Sequence, residues 1–157
     1  MKPNIRKTIA AGFIGTVMFT LMMRFVAPMM GIRMDIVAKL AKMTHTGMAG
    51  GLFVHFLNGT VIFPLIYVYL LYRLLPGAPW QKGLLWGAIL WLVLETVMMP
   101  MMGGGVFSTE TGGMKAVMAA FIGHLVYGAI LGAITGPPAA AKAVKAAARQ
   151  LEARDEK

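Results

Sequence analysis

Three residues of this chain bring polar chemistry into stretches that hydrocarbon should keep apolar: His55, Glu95 and His124. Polar side chains at membrane depth are costly, so they normally face protein or water rather than lipid. The two histidines sit in related contexts, V-H-F-L-N-G at 54–59 and G-H-L-V-Y-G at 123–128, which adds Asn58 and Tyr127 to the set. The expectation is that the histidines face each other across a small helical bundle.

Several chemistries suit these residue types. Two imidazoles on different helices at one depth match the axial ligands of a haem, with Asn58 and Tyr127 beside a haem b. His55, His124 and Glu95 together make a metal set that zinc, iron or copper would accept. Glu95 could instead orient one imidazole from behind. A small transporter would use Glu95 and the histidines as a proton or quinone path. The plainest use is a hydrogen-bonded knot that fixes helix register, with Arg24 pairing to Glu95. The residues alone leave the occupant open between haem, a metal ion and nothing at all. No catalytic residue is assigned, because the chain has no P-loop, dinucleotide fingerprint, G-x-S-x-G or H-E-x-x-H.

The elements that must position these residues are membrane spans. Of 157 residues, 58% are hydrophobic and 13% charged, against about 25% charged in a soluble domain. Cysteine is absent, which excludes disulfides and thiolate chemistry. The net charge of +9 does not indicate nucleic acid, because the cations cluster at the ends of apolar runs. Four spans are expected at about 9–30, 48–72, 84–102 and 114–134. Between the first two, residues 32–44 separate polar and apolar faces at helical spacing and read as a short amphipathic interfacial helix. Residues 137–157 read as a charged, soluble helical tail. The fold class is therefore all-α, an integral-membrane four-helix bundle. Lys and Arg divide ten against five between the two sides, which places both termini in the cytoplasm and the protein in a bacterial inner membrane.

Two patterns bear on packing. T-V-M-F-T-L-M-M at 16–23 resembles T-V-M-M-P-M-M at 96–102, which suggests two helical hairpins as a parallel internal repeat. Gly128, Gly132 and Gly136 form overlapping G-x-x-x-G steps, suited to close packing within the chain, against other membrane subunits, or in a homo-oligomer. Pro64 and Pro100 should kink their helices and free the carbonyls of Thr60 and Thr96. At about 1.5 Å per residue, His55, Glu95 and His124 lie at a similar depth.

The motifs A-A-G-F-I-G-T-V-M at 10–18, H-F-L-N-G at 55–59, M-P-M-M-G-G-G-V-F at 99–107 and G-H-L-V-Y-G-A-I-L-G at 123–132 resemble a family of small bacterial four-helix membrane proteins of unknown function. The resemblance implies the four-span fold and no particular activity. Small size and glycine ridges favour a non-enzymatic accessory or assembly subunit of a larger membrane complex. The alternatives are the haem or metal protein on His55 and His124 and the Glu95 transporter.

Overall fold

A computed structural model describes residues 4–32, 34–136 and 147. The charged tail expected at 137–157 lies, apart from Ala147, outside the described residues. Four helices are long and apolar enough to cross a membrane: α1 (Ile5–Met29), α3 (Met48–Leu71), α4 (Pro79–Met101) and α5 (Gly113–Thr135). The short helix α2 (Ile36–Met43) lies between the first two. The chain is thus an all-α bundle with membrane-spanning helices. Large apolar side chains such as Phe13, Phe53, Tyr69 and Leu70 point outward and are more than half exposed, as lipid-facing residues should be.

Helix ends follow local chemistry. Asn4 caps α1 by accepting from the Lys7 N–H at 3.1 Å, so the helix begins earlier than the apolar run suggests. Asp35 caps α2 in the same way, through Ala38 at 3.0 Å. Pro79 opens α4 at a first-turn position, where its missing N–H is harmless. The Gln81 side chain reaches back to the Ala78 N–H at 2.7 Å. In the turn between α3 and α4, the Lys82 ammonium donates to the Tyr72 carbonyl at 2.7 Å and stands 4.6 Å over the Tyr72 ring.

Three prolines shape the interiors. Before Pro28, Pro64 and Pro100 the backbone widens into a π turn, at Met22–Val26, Asn58–Ile62 and Leu94–Met98. A proline ring clashes with the carbonyl four residues back, and a wide turn relieves that clash. In each case the residue before the proline (Ala27, Phe63 or Met99) donates five residues back, to Met22, Asn58 or Leu94.

The internal correspondence has a different register from the one expected. P-M-M-G recurs at 28–31 and 100–103, and its backbone recurs with it. Gly31 and Gly103 take φ of 77° and 69°. The following N–H groups, of Ile32 and Gly104, reach back to the carbonyls of Ala27 and Met99 at 3.0 and 2.7 Å. This is one left-handed glycine cap used twice. The shared unit comprises the wide turn, the proline and the cap at the ends of α1 and α4. The T-V-M match of residues 16–18 with 96–98 sets the wrong residues against each other.

Glycine decides which helices touch. α4 packs most closely on α5, where a Cβ on Gly83 would strike the Gly128 carbonyl and one on Gly128 would strike that of Gly83. A Cβ on Gly132 would meet the Pro79 carbonyl. Gly128 and Gly132 are therefore used inside the chain, whatever a partner does elsewhere. α1 packs on α5 and on the middle of α3, and α2 packs on the start of α3. Two apolar clusters result. One surrounds Phe19, Met23, Met34, Leu40, Met99 and Met102, and the other surrounds Tyr67, Trp86, Leu90, Tyr127 and Leu131.

Candidate functional site: a cleft between α3 and α4

α1 and α5 exchange aromatic rings for glycines. A Cβ on Gly15 would stand 2.8 Å from the Tyr127 ring, and one on Gly123 would stand 2.7 Å from the Phe19 ring. Each helix thus lets the other's aromatic come close against its backbone, and both rings become walls of one cavity. The cavity holds about 350 Å³, within the usual range for small-molecule pockets. His55, Asn58 and Phe63 wall it from α3, and Leu90, Val93 and Met98 from α4. Met34, Ile36 and Leu40, from α2 and the residues before it, cover one end. Val93, one of these walls, is 45% exposed, so the cavity reaches the surface of the bundle beside α4.

All four residues foreseen beside a cofactor, His55, Asn58, His124 and Tyr127, line this one cleft. They do not all offer it a polar group. The Tyr127 hydroxyl is committed elsewhere, donating to the Gly59 carbonyl at 2.7 Å. That carbonyl has lost both usual donors, since Phe63 bonds Asn58 instead and Pro64 has no N–H. The proline alone pointed to Thr60 as the released carbonyl; the wide turn puts one on Gly59.

One imidazole tautomer is fixed outright and the other is tied to Thr20. The Thr20 hydroxyl stands 2.7 Å from the Thr16 carbonyl and 3.0 Å from His55 Nε2. With its hydrogen on the carbonyl it accepts from Nε2, and His55 then keeps its lone pair on Nδ1. His124 Nδ1 stands 2.7 Å from the Ala120 carbonyl, which can only accept. Its proton is on Nδ1 and its lone pair on Nε2. Each neutral histidine thus keeps one unprotonated nitrogen.

The rings meet through Phe19. Its centroid is 6.0 Å from that of His55 and 4.9 Å from that of His124, edge-on to the latter. An axial haem pair would need that shared ring to move aside. The metal set is not assembled either. Glu95 is fully buried away from the cleft and accepts from the Ser108 hydroxyl at 2.8 Å, while its second oxygen has no partner among the described residues, so Arg24 does not pair with it. Among the described residues no group of three or more His, Asp or Glu is placed to hold a metal ion.

Ser108 was the residue least legible in the sequence. It sits in a short 3₁₀ turn, Val106–Ser108, where Phe107 and Ser108 both take positive φ, 50° and 53°. Such backbone is costly for residues other than glycine. The bond to Glu95 is what the structure offers in return.

A family model described as a family of unknown function, DUF6789, matches residues 3–144. The chain belongs to the DUF6789 family. No curated protein and no solved structure matches it. For this DUF6789 member, family membership adds no activity, so function rests on the cleft.

Proposed function

We propose that this DUF6789 protein is a non-enzymatic membrane protein that binds a long-chain amphiphile bearing a hydrogen-bond donor, and that it serves as an accessory component of a larger membrane system. The observation that carries this reading is a single apolar cleft, reaching the bundle surface beside α4, that gathers His55, Asn58 and His124. An apolar wall with a few converging polar groups is the usual form of a binding pocket. The His124 proton is spent on the Ala120 carbonyl, which leaves Nε2 as an acceptor, and His55 is an acceptor too where Thr20 bonds the Thr16 carbonyl, so the pair favours a ligand that donates, such as a hydroxyl. Asn58 supplies an amide that can both donate and accept. An opening at the bundle surface suits a ligand that partitions into the bilayer.

The test is binding of a long-chain alcohol to the purified protein, followed by native mass spectrometry. His124→Leu keeps the apolar wall and removes the acceptor, and should weaken binding about five- to tenfold, the value of one hydrogen bond. Unchanged affinity in both His124→Leu and His55→Leu would overturn the reading.

A further inference from the structure

A second cavity, of about 280 Å³, adjoins the cleft at the α2 end. The two share Met23, Met34, Ile36 and His55 as walls, so an imidazole stands where they adjoin. The second chamber is the more polar, with Arg24 and Asp35 among its walls. One Asp35 oxygen caps α2 through the Ala38 N–H at 3.0 Å. The main chain of one wall residue, Met23, is also short of a donor. Ala27 donates to Met22, and Pro28 has no N–H, so the Met23 carbonyl is left without its α or π donor.

Among the described residues this chamber therefore has a guanidinium and a carboxylate in its walls, next to an apolar cleft. A simple anion would find Arg24 but also face Asp35. A quaternary ammonium has no N–H to give and is held by aromatic faces, and His55 is the only aromatic ring among the described walls. A primary ammonium has three donors. A phosphate matches the planar fork of arginine.

Resting on the cleft reading above, we infer that the second chamber takes the head group of a zwitterionic, single-chain phospholipid with a primary ammonium. Its phosphate sits on Arg24, and its ammonium on Asp35 and the Met23 carbonyl. Its free glycerol hydroxyl meets the lone pair of His55, where the chambers adjoin, and its single chain fills the cleft.

Native mass spectrometry of the full-length protein in detergent tests this, using monoacyl glycerophospholipids of one chain length with ethanolamine, choline or glycerol heads. The ethanolamine form should bind about tenfold more tightly than the other two. Arg24→Gln should weaken all three. Asp35→Asn keeps the helix cap, since asparagine caps as well as aspartate, and should turn the preference toward the glycerol head. Equal binding of the three heads, or an ethanolamine preference that survives Asp35→Asn, would overturn the inference. A long-chain alcohol run in parallel separates the two readings. If it binds normally while the heads are not distinguished, only the head-group assignment fails. If it does not bind, the cleft reading fails as well. The same alcohol binding to Asp35→Asn and Arg24→Gln shows that the variants are folded.

Discussion

The Tyr127 hydroxyl donates to the Gly59 carbonyl at 2.7 Å, joining residues 68 apart in sequence. The bond exists because a proline and a wide turn leave Gly59 without a helical donor, and because Gly15 lets the Tyr127 ring approach the α1 backbone. It ties α5 to α3 behind the cleft, while α1 packs against both. Tyr127→Phe should therefore destabilise the bundle by about 1–2 kcal/mol, since it leaves a buried carbonyl unpaired. That exceeds the roughly 0.6 kcal/mol average for transmembrane hydrogen bonds. Pro64→Ala returns an N–H to α3 and lets Phe63 take the α register again, so the double variant should recover much of the loss. Unfolding in a mixed-micelle titration of all four proteins measures the coupling. Strict additivity would mean that Gly59 does not need the tyrosine.

The contact of α4 with α5 should be the least tolerant of added volume. At Gly83 and Gly128 a methyl group meets backbone carbonyls, which cannot swing aside as side chains do. Gly128→Ala should cost about 3 kcal/mol or more, at or beyond the upper end for overpacked sites. Gly47 has open space around its Cβ position and a negative φ of −73°, so Gly47→Ala should be nearly neutral. Thermal stability of the two variants in one detergent compares them directly.

Glu95 should act as a structural clasp rather than as a carrier. Glu95→Gln retains an acceptor for the Ser108 hydroxyl and should leave stability nearly unchanged. Glu95→Ala removes it, and should cost about 1–3 kcal/mol and loosen the turn held at positive φ. Protease sensitivity at residues 103–112 reports on that loop. Proton-linked flux in liposomes that vanishes in Glu95→Gln would instead identify a transporter.

The gently purified protein should show no Soret band. Phe19 contacts both imidazoles, so a porphyrin bridging them has no room until that ring moves. Phe19→Ala should relax this restriction, making it the variant in which added haem would bind to His55 and His124 if it binds at all. A Soret band in the unaltered protein would reverse the assignment.

Much of the architecture was legible because its signals are long. Four apolar runs, an amphipathic segment and glycine ridges each report on many residues at once, whereas the capping role of Asp35 emerges only from the structure. His55 and His124 stood out because a polar residue in an apolar run has few reasons to be there. The details of the site were less visible. A wide turn has no side-chain signature beyond the proline that follows it, so the released carbonyl of Gly59 could not be read from Pro64 alone. The repeat was misplaced because T-V-M matches side chains, whereas the shared backbone unit ends in P-M-M-G. Depth along a helix also says nothing about direction around it. Glu95 shares the level expected for the histidines and turns away from them, toward a serine whose strained backbone no sequence pattern announces.

Whether a lipid-soluble molecule enters the cleft between α3 and α4 is tested most directly by photolabelling. The protein in bilayers would be exposed to a long-chain alcohol carrying a diazirine on its chain, and the labelled residues mapped by mass spectrometry. Labels should concentrate on cleft walls such as Phe63, Val93 and Met98 and should fall when unlabelled alcohol is added. Outward-facing Phe53 and Tyr69 should label weakly and show no competition. Equal labelling of both sets, with no competition at the cleft, would contradict the central claim.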